Sequence, residues 1–367
     1  MIAKFLEHFS ELEDPRYEGF VVYPLPEILL GTLVGMICGG EDWEEIVLFC
    51  EEKLDFLRQF LPYENGVASP KTFWRVFELL DSQAFATCFA AWMNDLVGSV
   101  KGVVAVDGKT MRGTRQSGGD EKALHVVSAY AHETGLAIGQ RCVDGKSNEI
   151  TAIPELLKTL AIEGAIVTID AMGTQKAIAR AILARKADYV LALKGNQSAI
   201  CDDVRLFLAD QELAKSCDVF TTLDSGHGRI EERSCRATQD IEWLRQRHPD
   251  WQGLRSIAAV EATRTDKKSQ KTAKETRFYL SSLPGKACEL LAATRAHWSI
   301  ENNLHWMLDV VFGEDLCQTA KKNAALNLGV VRKAALGLLK CQPARMPVKR
   351  KIKKASCNNG FLASILC

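Results

Sequence analysis

The runs Gly102-Val103-Val104-Ala105-Val106-Asp107 and Ala165-Ile166-Val167-Thr168-Ile169-Asp170 decide how this chain folds. Each is short, apolar and rich in β-branched residues, and each ends in a carboxylate. A buried strand that ends in Asp places a charge at the rim of a sheet, where α/β folds bind ligands. Two such ends leave two charges in need of partners. Hard divalent cations take oxygen ligands, and two-metal phosphoryl transfer draws carboxylates from separate elements. The plainer alternative is that both aspartates merely cap the helices or turns that follow.

Outward from these runs, alternating stretches at 123–132 and 136–143 read as strands joined by the turn Glu133-Thr134-Gly135. A helix is predicted over 148–160, with Pro154 as a boundary question, and a second over 174–186, ahead of a strand at 189–193. Three strands, a helix, a strand, a helix and a strand give a mixed α/β sheet in the ribonuclease-H-like order. The segment 199–282 breaks this rhythm. Its candidate strands at 219–223, 230–237, 256–263 and 277–280 suggest a largely β insertion within the catalytic domain. Helical regions are predicted over 285–311 and 320–339.

The residues before Gly102 read as helical. Segments run from Pro24 and Pro26 to Gly39-Gly40, from Asp42 to Phe60, from Ser69-Pro70 to Leu80, and from Ser82 to Leu96. Ser69 followed by Pro70 is an N-cap with proline at the first helical position. Short helices and tight turns suit a helix-turn-helix, in which Lys71, Thr72 and Arg75 would face DNA. The chain thus divides into a small all-α domain at 1–98, a candidate for DNA binding, a catalytic domain at 99–340, and a basic tail at 341–367.

A third carboxylate comes from 296–309. Ile300, Leu304, Met307 and Leu308 form an apolar stripe, while His297, Glu301, His305 and Asp309 recur every four residues along one polar face. Such a face is ordinarily solvated. Zinc is set aside, since neither an H-E-x-x-H arrangement nor a cysteine partner is present.

Composition narrows the classes. The apolar run 28–38 is too short to span a bilayer, and acidic residues crowd the first fourteen positions, so a cytoplasmic protein without membrane contact is expected. None of the 12 cysteines is spaced C-x-x-C, which favours reduced thiols over structural zinc. With 46 basic and 46 acidic residues the net charge is zero, which argues against a general nucleic-acid coat. Basic residues still concentrate at Arg264, Lys267, Lys268, Lys271, Lys274 and Arg277, and at Arg345, Lys349, Arg350, Lys351, Lys353 and Lys354.

Several ordered motifs resemble a known family. They are Ala105-Val106-Asp107-Gly108-Lys109-Thr110-Met111-Arg112-Gly113, Lys146-Ser147-Asn148-Glu149-Ile150, Val167-Thr168-Ile169-Asp170-Ala171-Met172-Gly173 and Leu191-Ala192-Leu193-Lys194-Gly195-Asn196-Gln197. Further along come His227-Gly228-Arg229-Ile230-Glu231, His297-Trp298-x-Ile300-Glu301-Asn302, Leu304-His305-Trp306-x-Leu308-Asp309 and Phe312-Gly313-Glu314-Asp315. Together with Leu12-Glu13-Asp14-Pro15-Arg16 they resemble insertion-sequence transposases of the H-repeat-associated (ISAs) type over nearly the whole chain.

That resemblance implies a ribonuclease-H-like DDE transposase with Asp107, Asp170 and Glu301 as the catalytic, metal-binding triad. It implies two Mg2+ ions per site, with Mn2+ as substitute, and double-stranded DNA partners: the element's terminal repeats and a target, bound by a homodimer. Lys109, Arg112, Lys194 and Arg229 become phosphate contacts, with surface salt bridges as the alternative. Asn302 and Asp309 become supporting groups, and Trp298 is read as core packing. The chain departs from the Tyr-x2-Arg-x3-Glu-x6-Lys signature of the wider superfamily, having Thr294, His297 and Leu308 at the flanking positions. His297 would then hold phosphate or orient Glu301. The competing readings are a decayed or domesticated copy that binds DNA without cutting, and a metal nuclease that hydrolyses without joining.

Overall fold

The computed structural model describes residues 1–115, 123–143, 148–226, 228–319 and 321–367. Lys146 and Ser147 of the second motif, His227 of the fifth and the predicted helix start at Ala320 lie outside them.

Strand β1 (Gly102–Met111) pairs antiparallel with β2 (Leu124–Ala131), which turns at Gly135 into β3 (Leu136–Val143). On its other side β1 runs parallel to β4 (Ala165–Ile169), and β4 runs parallel to β5 (Asp188–Leu193). The order β3-β2-β1-β4-β5 is the ribonuclease-H-like core expected from the sequence. β1 does not stop at Asp107, however. The β4 partnership ends at Val106↔Ile169, while β2 continues to hold β1 as far as Met111↔Leu124. Asp107 therefore sits inside a strand, at the point where its parallel neighbour falls away.

Strands β6 (Asp218–Gly226), β7 (Arg229–Thr238), β8 (Ser256–Asp266) and β9 (Thr272–Ser281) form an antiparallel meander. It is not a separate sheet: β9 pairs with β5 through Leu191↔Leu280, which extends the core to nine strands among the described residues. These strands also run beyond their predicted limits. Their distal ends are exposed on both faces, so no apolar alternation marks them.

The first helices are α1 (Ile2–Phe9), α2 (Leu25–Cys38), α3 (Trp43–Glu52), α4 (Leu54–Leu57), α5 (Pro70–Leu79) and α6 (Ser82–Val97). Asp42, Ser69 and Asp81 cap α3, α5 and α6 by accepting backbone N–H bonds. Lys71 and Arg75 lie on the exposed face of α5, while Phe73, Val76 and Phe77 turn into the core. Helices α7 (Glu149–Lys158) and α8 (Lys176–Ala184) follow β3 and β4, and α9 (Ser198–Ala209), α10 (Gln211–Ala214) and α11 (Glu242–Arg247) decorate the meander. Pro154 lies within α7 and does not end it.

The region predicted as one helix over 285–311 is in three parts: α12 (Ala287–His297), a π-helical turn (Glu301–His305) and α13 (Trp306–Phe312). Buried Leu290 and Leu291 of α12 pack on Val103, Val190 and Ala258, so the helix covers one face of the sheet. Helix α14 (Lys322–Cys341) then runs back to pack against α2, α5 and α6. The expected basic tail is no free tail. It forms α15 (Val348–Cys357) and α16 (Asn359–Leu366), folded onto α2 and α14. Ile352, Ala355, Leu362 and Ile365 are buried, and so is Lys351, whose ammonium donates to the carbonyls of Leu339 and Gln342 at the end of α14. One apolar edge at helical spacing was hidden among the charges.

Asn327, fully buried on α14, donates to the carbonyls of Phe77 and Leu80 at 3.0 and 3.1 Å, where α5 ends. Asn327→Leu strands both acceptors, and should cost about 2 kcal/mol in denaturant unfolding. An unchanged midpoint would show that this tie is dispensable.

Candidate metal centre

Asp107 shares its side-chain direction with Val103, two pairs of residues back along β1, and so faces α12. Asp170 follows β4 directly; one of its oxygens accepts the N–H groups of Met172 and Gly173 at 3.0 and 3.1 Å. Glu301 opens the π turn that passes over these strand ends, and His305 closes it.

The π turn brings two groups onto Asp107. His305 Nδ1 lies 3.2 Å from Glu301 Oε2 and 3.7 Å from Asp107 Oδ2. One donor atom from each of the three residues falls within 4.8 Å of the others. The set is two carboxylates and an imidazole, a donor set that Mg2+ accepts in part and Mn2+ accepts throughout. His305 Nε2 is buried and has no hydrogen-bond partner among the described residues. Burial pushes the His305 pKa down against the pull of Glu301, leaving the imidazole neutral and able to donate a lone pair. Asp107 is pushed up to about 7, first by burial and then by Asp170, Glu149 and Glu301, with the Gly108 amide opposing. A buried carboxylate surrounded by other carboxylates is an arrangement that a cation relieves.

Asp170 stands outside that close group, although it is near enough to raise Asp107. His297 sits beside Asp170 and not Glu301: its Nδ1 is 3.1 Å from Thr168 Oγ1, and burial lowers its pKa against the pull of Asp170. The expectation that His297 orients Glu301 is therefore corrected. Lys194, Asp170, His297, Arg277 and Trp298 line one cavity, which brings Lys194 to the site. Arg229 lines the adjoining groove with Arg233, Arg264 and Asn302. Trp298 is not core packing. It is 46% exposed, and the Arg277 guanidinium lies 4.7 Å from its ring centroid. Arg112 projects into solvent near Asp315, while Lys71 and Arg75 are exposed on α5.

Lys109 is the clearest revision. Its side chain is 12% exposed, and its ammonium lies 2.7, 3.0 and 3.1 Å from carboxylate oxygens of Asp309, Glu314 and Asp315. Burial pulls its pKa down, but Glu314 and Asp309 outweigh that and raise it. The ammonium is thus already paired with three carboxylates, as the salt-bridge alternative has it.

Sequence reasoning gave no role to His305, Glu314 or the pair His125–Glu149. His125 Nε2 is 2.6 Å from Glu149 Oε1, and His125 Nδ1 is 2.9 Å from Thr110 Oγ1. The pair lies against the backbone of Gly108, where an added Cβ would meet Glu149 at 2.2 Å. The requirement for glycine after Asp107 was the available signal. His305 was in view as the residue one turn beyond Glu301, but only the π turn shows where it points.

Comparison with known proteins shows the family. Residues 98–338 match the family model described as transposase DDE domain, and residues 6–93 match its companion, DDE_Tnp_1-associated. The chain belongs to the DDE transposase family. Among relatives of this transposase chain is "H repeat-associated putative transposase YhhI" of Escherichia coli (strain K12), 38% identical over 370 residues, covering 100% of this chain and 98% of that protein. "Putative transposase YncI" of Escherichia coli O157:H7 is also 38% identical, over 100% of this chain and 95% of its own length. A cryo-EM structure of the piggyBac transposase synaptic complex with hairpin DNA aligns with a TM-score of 0.44 at 11% identity, covering 100% of this chain and 78% of that one.

Because the folded value for Asp107 is raised above 3.8, its ionisation opposes folding. That cost is absent below pH 4, grows as pH rises through 7 and is complete above it. Asp107→Asn should therefore stabilise the metal-free transposase chain by up to about 4 kcal/mol near pH 8 and by well under about 1 kcal/mol near pH 4. Calorimetric melting at the two pH values tests this; a gain that does not depend on pH would be inconsistent with a strained carboxylate.

Proposed function

We propose that this chain is an active DNA transposase that cuts element ends and joins them to target DNA, with Asp107, Asp170 and Glu301 as its metal-binding triad. The convergence of Asp107 and Glu301, 194 positions apart in sequence, on a shared donor set carries this reading. Asp107, Glu301 and His305 would hold one divalent cation; Asp107 and Asp170, which flank the end of the parallel β1–β4 pairing, would share a second. Mg2+ is the expected ion, and the imidazole makes Mn2+ a strong substitute.

Divalent cations held there would supply Lewis acidity toward an attacking water or 3′-hydroxyl and toward the leaving oxygen. The protein supplies position. Asp107 is fixed by the β1–β2 ladder, and Asp170 is oriented by two backbone amides. Neutral His305 cannot take up a proton readily near neutral pH, so it acts as a ligand and leaves no second base in competition. Lys194 and Arg229 stand beside this centre as candidate phosphate contacts, with Arg112, Lys71 and Arg75 as more distant ones. His297, buried beside Asp170, is a candidate for the phosphate end of the site.

The direct test uses linear DNA carrying the element's own ends, with Mg2+. Wild-type protein should nick the ends and yield joined products, and Asp107→Asn, Asp170→Asn and Glu301→Gln should each lower the rate by about a thousandfold or more. Joining by these variants at wild-type rates would refute the triad. End binding with no metal-dependent cleavage would instead support a copy that has lost its chemistry.

Element ends are processed in pairs, so we further propose a homodimer on DNA in a cytoplasmic setting; no helix among the described residues is long and apolar enough to cross a membrane. Light scattering of the end complex should return two protein chains, and one chain per complex would exclude the dimer.

A further inference from the structure

Glu301 and Asp309 are eight residues apart. In an uninterrupted α-helix, at about 100° per residue, their side chains would point about 80° apart. The turn Glu301–His305 is π-helical and so carries one residue more than an α-turn. Absorbing one residue removes about 100° of rotation, which leaves the two side chains within about 20° of each other. Both then face β1.

On β1 the matching residues are Asp107 and Lys109, two apart and therefore on one side of the strand. Glu301 reaches the Asp107 cluster, and two turns later Asp309 meets Lys109 at 2.7 Å. The same ammonium holds Glu314 at 3.0 Å and Asp315 at 3.1 Å, and Asp315 also accepts the backbone N–H of Arg112, just past the end of β1. Glu314 is almost wholly buried; the Lys333 and Arg332 charges face it from α14, and Lys333 is itself fixed to Gln140 at 2.7 Å. A buried ion cluster of this kind adds little net stability, but it penalises any other register of the two elements.

We infer that the Lys109–Asp309 pair, brought into phase by the π turn, is a positioning device that holds Glu301 and His305 over Asp107. Lys109 serves the metal-binding carboxylates and not the DNA backbone. The inference rests on the metal-centre reading above, and it assigns the π turn a reason: without it, Glu301 and Asp309 would diverge by about 80° and could not both point squarely at β1.

The test is calorimetric titration of the full chain with Mn2+, alongside affinity for end DNA, for wild type, Asp107→Asn, Asp309→Asn and Asp309→Glu. Asp309→Asn should weaken Mn2+ binding about tenfold while DNA affinity holds, and Asp309→Glu, which restores a carboxylate, should recover most of the loss. Folded Asp309→Asn protein with wild-type Mn2+ affinity overturns the inference. So does Lys109→Met protein that loses DNA affinity while Mn2+ binding is unchanged, since Lys109 would then be a phosphate contact. If Asp309→Asn does not fold, Asp309→Ala, which leaves Lys109 paired with Glu314 and Asp315, must show the same loss. Wild-type protein that binds no Mn2+, or Asp107→Asn protein that binds it normally, brings down the metal reading itself. Loss confined to Asp107→Asn brings down only the positioning role.

Discussion

Everything in the site depends on where β4 stops pairing with β1. As far as Val106↔Ile169 the two strands are locked by parallel hydrogen bonds; one residue later each presents an aspartate, and only β1 has a strand neighbour left to hold it. The open edge beyond Ile169 is the crevice that α/β sheets use for ligands. It is also an expensive place for charge. Asp107 is largely buried there and has Asp170, Glu149 and Glu301 around it, which is why its proton is held to about pH 7. Among the described residues no lysine or arginine lies in ion-pair range of Asp107.

That omission is informative because a cation lies so close. Lys109, two residues on and on the same side of β1, could have neutralised Asp107 had its side chain turned back along the strand. Instead three carboxylates from the chain beyond Glu301 hold it away. The site therefore contains two neighbouring compartments of opposite logic. One has a lysine satisfied by excess acid; the other has acid left short of positive charge. Separating them keeps Asp107 and Glu301 available to an external divalent ion, and the buried cluster that separates them also fixes the helix register.

Much of this was legible in the sequence, and the limits have physical causes. The strand segments that lead into Asp107 and Asp170 announced themselves because parallel strands covered on both faces are continuously apolar, although β1 runs on to Met111. The helix carrying Glu301 was visible as a stripe, but one period of 3.6 cannot reveal a π turn, so the positions of His305 and Asp309 could not be read from spacing. Lys109 was misjudged for a related reason: a lysine in a motif is solvent-facing by default, and its three partners lie about 200 positions away. Trp298 shows the opposite error. Its helix neighbours Leu290 and Leu291 are core, but Trp298 falls where α12 breaks and so turns outward. The meander β6–β9 was found as β structure, yet its continuity with the core depends on Leu191↔Leu280, a long-range pairing with no local trace.

The two basic stretches, alike in sequence, come apart once folded. In the β8–β9 hairpin Arg264 is bound to Glu231, Lys274 to Glu261 and Arg277 to Glu275, so a good part of that charge is already balanced. On α15 the outcome differs. Lys351 is consumed in capping α14, while Lys349, Arg350, Lys353 and Lys354 stay exposed, with no carboxylate in ion-pair range among the described residues. Phosphate attraction follows local unpaired charge and not the sum over the chain. A net charge of zero is thus compatible with a local cluster of unpaired cations such as the one on α15. Because α15 packs on α2, that cluster belongs to the helical region that also presents Lys71 and Arg75. Folding thus sets a local cluster of cations on α15 and a local cluster of carboxylates around Asp107 and Lys109, each invisible in the sum over the chain.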